Sequence, residues 1–159
     1  MINTLATKTI SVTATTDAET INQNKIVAQS IEIPNAAYSK GGAVLIKSVA
    51  LIDETNSTIE CDILFASLAT AISGDEGKAV GEDVADLDGV IAKMSGFISI
   101  AAADHTGLVD ASLACKTGID LVVQAVDDST SIYMHIINRG SAVVMGETND
   151  IKISIGLIQ

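Results

Sequence analysis

The chain has 159 residues, of which 48% are hydrophobic and only 18% are charged. The charges are unbalanced, with 20 acidic and 9 basic residues and a net charge of −11. This excess of negative charge argues against direct binding to nucleic acid or to an anionic membrane, since both need basic patches. Because so few charges are available to cover the surface, we expect another subunit to cover part of it.

Other features of the composition narrow the possible functions. The aromatic residues are Tyr38, Phe65, Phe97 and Tyr133, with no tryptophan, which disfavours the stacking platforms that bind sugars or single-stranded nucleic acid. The start of the sequence lacks the basic and apolar regions of a signal peptide, so none is predicted. No stretch approaches the roughly 18 uninterrupted apolar residues that a membrane span needs.

The two cysteines, Cys61 and Cys115, lie far apart in apolar, strand-like segments. We expect both to be buried free thiols, because unpaired cysteine is commonly a small core residue. Whether the two form a disulfide is left open, since a single pair is no disulfide framework.

Alternation of β-branched with polar residues is the dominant pattern, and it predicts strands over most of the chain. In the first strand, for example, Ile10, Val12 and Ala14 share one face. The predicted strands cover residues 8–15, 25–33, 43–53, 58–66, 96–102, 120–126, 131–138 and 150–158. Turns or loops are predicted over 16–24, 35–42 and 104–107, and residues 108–116 are ambiguous.

The pattern also predicts how some strands are arranged. Residues 43–53 are apolar at nearly every position, which is typical of a central strand buried on both faces. A short polar turn joins this strand to 58–66, and the two are predicted to form a hairpin. A second hairpin is predicted for residues 120–126 and 131–138.

The hydrophobic period changes in the long loop over 66–93. From residue 83 to residue 94, apolar side chains recur at helical spacing, and acidic residues cluster at the start of this stretch. This pattern predicts one short helix inside the loop. About eight or nine short strands with one helical insertion indicate an all-β, antiparallel sandwich, of jelly-roll rather than immunoglobulin type. We predict one domain over residues 1–159, with residues 1–7 as an N-terminal arm.

Two histidines, His105 and His135, are the candidates for proton transfer near neutral pH. His105 follows Asp104 in a predicted turn, and His135 lies in a strand on the same face as Tyr133 and Ile137. No nucleophile-elbow motif accompanies them, so we predict no catalytic residue, no cofactor and no enzyme. The roles expected of them are a solvated turn histidine and a histidine at a subunit contact.

An acidic segment over residues 82–88 is the candidate for a metal site. It contains Glu82, Asp83, Asp86 and Asp88, but the flanking positions lack the carboxylates of a calcium-binding EF-hand loop. We expect a solvated, acidic helix start and predict no metal ligands, while binding of a cation at this surface is left open.

Segments spread in order along the chain resemble small virion structural proteins of tailed bacteriophages, especially aquatic phages. These segments cover residues 7–15, 29–35, 42–49, 97–104 and 120–125. The resemblance implies a structural role in a phage particle, and in the first place that of a capsid decoration (cement) protein. It supplies no functional residues, because the similar segments are strand-forming and carry no catalytic motif.

The resemblance implies the major capsid protein as a partner, together with copies of the chain itself as a dimer or trimer. It also implies synthesis in the host cytoplasm and a final location on the capsid surface. The expected mechanism is burial of apolar sandwich surface, together with pairing of a terminal strand or arm with a neighbour's sheet edge. The arm over 1–7 and the loop over 66–93 are candidate contacts.

Two alternatives remain open. One is a tail, neck or fibre-base subunit, because ring-forming subunits can also be small, β-rich and apolar. The other is a small β-sandwich ligand-binding module or enzyme, which would need His105 and His135 together in one pocket with Asp104.

Overall fold

Antiparallel strands make up most of the computed structural model, which describes residues 6–16, 19–67, 69–74, 77–146 and 150–159. In chain order the elements are β1 (Thr7–Ala14), β2 (Thr20–Ile21), β3 (Ile26–Ile33), β4 (Ala43–Asp53), β5 (Cys61–Ala66), α1 (Leu87–Ile91), β6 (Met94–Ile100), β7 (His105–Gly107), β8 (Ser112–Gln124), β9 (Ile132–Asn138), β10 (Val143–Val144) and β11 (Ile151–Ile158). A single 3₁₀ turn, Ala102–Asp104, precedes β7. No helix in these ranges has the length and apolar character needed to cross a membrane.

The strands form two main sheets. Sheet I has the order β1-β11-β4-β8-β7, sheet II has the order β3-β9-β5-β6, and β2 and β10 form a small ribbon. If the eight long strands are numbered along the chain, the two sheets read 1-8-3-6 and 2-7-4-5. This is the strand order of a jelly roll, in which consecutive strands alternate between sheets except for the central pair, here β5 and β6, which are neighbours in sheet II. The predicted all-β, jelly-roll-like sandwich is therefore confirmed.

Side-chain alternation builds the core between the two sheets. In β11, Ile151, Ile153 and Ile155 are buried while the residues between them are half-buried. Phe65 in the middle of β5 is the largest wholly buried side chain. The predicted inward face of β1 is also confirmed, since Ile10 and Ala14 are buried and Val12 is half-buried. Each such aliphatic side chain contributes about 1.5–3 kcal/mol by leaving water.

Both predicted hairpins are wrong. β4 lies in sheet I and β5 in sheet II, and the same division separates β8 from β9. A short polar connection fits a crossing from one sheet to the other as well as it fits a hairpin. At the first crossing, the buried Asp53 carboxylate accepts hydrogen bonds from the backbone N–H groups of Thr55 and Ile59, which fixes the turn between the sheets.

The long loop between β5 and β6 packs on sheet II. Its helix, α1, has only five residues, so the predicted helix over 83–94 is too long. Ile72 and Val90 from the loop are buried against Ile26 and Ile137 of sheet II, forming a second, smaller core outside the sandwich. Gln29 on β3 attaches this loop to sheet II, because its side-chain oxygen accepts hydrogen bonds from the backbone N–H groups of residues 72 and 73.

Several smaller predictions change. The predicted turn over 16–24 contains β2, and the turn over 104–107 is the end of the 3₁₀ turn followed by β7. The ambiguous stretch over 108–116 contains the start of β8, the longest strand. Residues 1–5 of the proposed arm lie outside the described residues, and Thr7 already belongs to β1.

Candidate functional site

The outer faces of the two sheets differ in what covers them. On sheet II, the loop between β5 and β6 packs on Ile26 and Ile137, and His135, on the same side of β9 as Ile137, is wholly buried. On sheet I, no described segment packs on the outside, and its outward residues are half-buried or exposed. The prediction that residues 43–53 are buried on both faces is therefore wrong. The inward residues of β4 are buried, but its outward residues stay accessible.

Strand register defines the residues of this uncovered surface, which we call the outer face of sheet I. Four strands contribute, and neighbouring strands place their outward residues side by side. Its residues are Thr7, Thr9, Ser11 and Thr13 on β1, Lys152, Ser154, Gly156 and Ile158 on β11, Leu45, Lys47, Ser48, Ala50 and Ile52 on β4, and Leu113, Cys115, Thr117, Asp120 and Val122 on β8.

The outer face of sheet I is nearly free of charge. Its one acidic residue is Asp120 on β8, two positions before Val122, although the chain as a whole has a net charge of −11. Asp120 forms an ion pair with Lys47 at the bulge between β4 and β8. The other charged residue, Lys152, forms an ion pair with Glu54 at the margin. The charged side chains of the face are thus paired with opposite charges.

Small residues occupy the middle of the face and larger apolar residues its ends. Ser11 and Ser154 share a hydrogen bond of 2.7 Å between their hydroxyl groups. At one end, Ile158, Leu45 and Val122 stand in a row across three strands. Such a surface has few charges to remove from water, so a partner can cover it at a low cost if it replaces the hydrogen bonds that the Ser and Thr hydroxyls make with water.

The dimensions of the face limit what it can bind alone. Four strands spaced ~4.8 Å apart and about seven residues long give an area of roughly 20 Å by 20 Å, or about 400 Å². A standard protein interface buries about 800 Å² on each partner. The outer face of sheet I therefore supplies about half of one standard interface.

The cysteines differ in their environments. Cys61 is buried in the main core, and burial raises its pKa to about 12, with the Asp62 and Asp53 carboxylates adding to the effect. Cys115 is exposed on the outer face of sheet I, so the prediction that both thiols are buried is wrong for this residue. Both are free thiols, and they lie in different sheets.

His105 is part of a closed hydrogen-bond arrangement. Its Nε2 lies 3.0 Å from the carbonyl oxygen of Ile59, so this nitrogen carries the proton. Its Nδ1 then accepts from the Ser112 hydroxyl at 2.9 Å. Although a serine beside a histidine is a pattern known from hydrolases, Ser112 is wholly buried and no substrate can reach it. His105 is half-buried rather than the solvated turn histidine that the sequence predicted.

Asp104, next to His105, is engaged with a lysine. Its carboxylate lies 2.6 Å from the Lys116 ammonium and accepts from the backbone N–H of Ala101. These contacts, the lysine first, hold the pKa of Asp104 below its ordinary value. Asp104 therefore does not orient His105.

His135 lies in sheet II, away from the sheet that holds His105. It is wholly buried on the same side of sheet II as Ile137, so it is no subunit-contact histidine. The backbone N–H of Ser30, at a bulge in β3, donates to its Nδ1 at 3.1 Å. Its Nε2 has no hydrogen-bond partner among the described residues, and burial lowers its pKa to about 4.

In the acidic segment over 82–88, carboxylates contact lysines and backbone N–H groups of the same chain. Glu82 lies within 3.5 Å of both Lys25 and Lys78. A hydrogen bond from the Ala79 backbone, assisted by these lysines, lowers the pKa of Glu82. Asp86 caps α1 by accepting from the backbone N–H of residue 89. Among the described residues, no group of His, Cys, Asp or Glu side chains has the geometry of a metal site.

Comparison with protein-family models finds no match for this sequence, and comparison with curated proteins finds none either. The function therefore has to be inferred from the surface geometry and from the resemblance of the segments named above. The sequence predicted a covered surface in general terms from the low charge. The outer face of sheet I was missed because the register of four strands from distant parts of the chain is needed to assemble it.

Proposed function

We propose that this chain is a structural subunit of a phage particle, specifically a capsid decoration protein that stabilises the shell through contacts between subunits. The observation that carries the proposal is the outer face of sheet I, which has one acidic residue, paired with a lysine, on a chain of net charge −11. The jelly roll agrees with this role, because the fold recurs in viral capsid proteins, although it also occurs in lectins and cupins.

The distribution of charge explains how the surface works. The acidic residues keep the free chain soluble and prevent random aggregation. A docking surface whose one acidic residue is paired with a lysine reduces repulsion when the chain approaches another subunit. The serine and threonine hydroxyls of the face can hydrogen-bond to the partner, and the rows of apolar residues at its ends provide the area that leaves water.

The limited size of the face fits binding to a repeating shell. A surface of about 400 Å² gives weak attachment on its own. A decoration protein occupies many equivalent positions on a shell, and contacts between neighbouring copies raise the effective affinity at each position. Weak individual docking with cooperative assembly is therefore the expected binding behaviour.

Binding to stripped particles tests the role of the face. In the variant Leu45→Glu/Val122→Glu, two negative charges enter the apolar row of the outer face. The matched control, Val109→Glu/Val144→Glu, adds the same charge at exposed positions away from the face. We expect the face variant to lose binding in a sedimentation assay while the control binds like the wild type. Equal binding of both variants would contradict docking through this face.

The alternative of a ligand-binding module or enzyme required the two histidines in one pocket. They lie in different sheets and share no hydrogen-bond partner in the described residues. The absence of catalytic activity nevertheless remains a prediction.

A further inference from the structure

Sheet edges are the places where an antiparallel sandwich can add a strand from another chain, and most edges carry features that prevent this. The described part of this chain has edges at β1 and β7 in sheet I and at β3 and β6 in sheet II. β7 is only three residues long and pairs with residues 112–114, so β8 is itself an edge over residues 115–124. That stretch is interrupted by the register shift opposite β4 and by Gly118 at φ +69°. β6 has a register shift and a glycine, Gly96, at φ +154°.

The edge strand β3 is also protected. Its pairing with β9 is interrupted by two register shifts, and Ser30 at the bulge has a φ of +55°, which bends the strand away from a regular ladder. Pro34, which cannot donate a ladder hydrogen bond, follows directly after its end.

β1 has none of these protective features. It pairs with β11 over all eight of its residues without a register shift. Its sequence is rich in threonine and other β-branched residues, lacks proline and glycine, and has one charge, on Lys8. A groove of about 420 Å³ runs beside it towards β3, lined by residues that include Val12, Ile31 and Glu32. The edge is thus long, flat and partly apolar.

We propose that β1 is the self-association edge of this protein and that it pairs antiparallel with β1 of a second copy. This deepens the proposed function and rests on its self-packing part, because it names the strand through which copies join. In antiparallel pairing about a two-fold axis, odd-numbered residues of β1 stand opposite odd-numbered residues of the second copy. The inner and the outer face of sheet I then each continue from one copy into the other. With Ser11 at the axis, Thr9 faces Thr13 of the second copy and Ile10 faces Val12 of the second copy.

Charge supports a second copy as the occupant. β1 has no acidic residue, so two strongly acidic chains can bring these edges together without direct repulsion. Glu32 is the one charged residue lining the groove, and Lys8 is the one charge that the incoming strand carries. Pairing would also join two outer faces of sheet I into one surface of about 800 Å², the size that one partner contributes to a standard interface.

The test is the oligomeric state of the purified chain, measured by size-exclusion chromatography with light scattering up to millimolar concentration. We expect a dimer in the wild type. The edge variant Thr9→Lys/Ser11→Lys should raise the dimer dissociation constant by about tenfold or more, because like charges then meet across the axis. The matched control Thr117→Lys/Gln124→Lys adds the same charges on β8 and should dimerise like the wild type.

A cysteine trap checks the geometry independently of any effect on folding. With Cys115→Ser removing the exposed thiol, Ser11→Cys should form a covalent dimer under oxidising conditions, whereas Thr117→Cys should not. A wild-type chain that stays monomeric up to millimolar concentration overturns the proposal, as does a dimer that the β8 control disrupts and the edge variant does not. A monomer that still binds particles would refute the edge pairing alone, and a dimer without affinity for particles would refute only the decoration role.

Discussion

Acidification should destabilise this protein through His135, which the fold buries completely. In the native state His135 is neutral, because burial lowers its pKa to about 4 from an ordinary value of 6.5. In the unfolded chain it takes up a proton near pH 6.5. The unfolded state therefore binds more protons than the native state between these values, and stability falls as the pH falls through this window.

The magnitude follows from the interval between the two pKa values. Each pH unit in this window is worth 1.36 kcal/mol, so lowering the pH from 7 to 4 should remove about 3 kcal/mol of unfolding free energy through this one residue. Above pH 7 the contribution is constant. Below pH 4 both states are protonated at this site, and His135 causes no further loss.

Urea unfolding at a series of pH values measures this effect, with His135→Asn as the reference. The asparagine side-chain oxygen can still accept from the Ser30 N–H but does not titrate. Subtracting the two curves removes the contributions of the carboxylates, which also titrate at low pH. We expect the stability advantage of the wild type over the variant to shrink by about 3 kcal/mol between pH 7 and pH 4. A difference that stays constant over this range would refute the burial of a neutral His135.

Three further predictions concern the fold. Asp53→Ala should cost about 3 kcal/mol in urea unfolding, because the buried N–H of Ile59 and the other donors of the crossing turn lose a charged acceptor; a cost below about 1 kcal/mol would contradict the role of this carboxylate. A thiol reagent should modify Cys115 in the native protein and Cys61 only after unfolding, and rapid modification of both would contradict the burial of Cys61. Ile72→Ala should cost about 2–4 kcal/mol and expose the outer side of sheet II to hydrogen exchange, whereas unchanged exchange would show that this loop does not cover the sheet.

Local patterns predicted the strands and their buried faces well, because side-chain alternation is set by the strand itself. β11 shows this most clearly, since every residue predicted to face inward is buried. The pairing of strands could not be predicted in the same way. In this jelly roll most strands that follow one another along the chain lie in opposite sheets, so the two polar turns taken for hairpins are crossings between sheets.

The environments of individual side chains depended on contacts that no local pattern contains. Cys115 and His135 both lie in apolar strands. They differ in whether another segment covers the outer side of the sheet that holds them. The loop between β5 and β6 covers the side of sheet II on which His135 lies buried, while no described segment covers Cys115 on the outer face of sheet I. The low charge of the chain predicts that another subunit covers part of its surface, and this stays a prediction. Which sheet face is uncovered follows from the register of β1, β11, β4 and β8.

The location of this chain in an intact particle tests the central claim most directly. Cryo-electron microscopy of the parent phage should show the jelly roll on the outside of the icosahedral shell, with the outer face of sheet I against neighbouring subunits. Density for the chain along the tail axis or at the neck would contradict the decoration role and support the tail, neck or fibre-base alternative. Particles that contain no copy of the chain would contradict a structural role altogether.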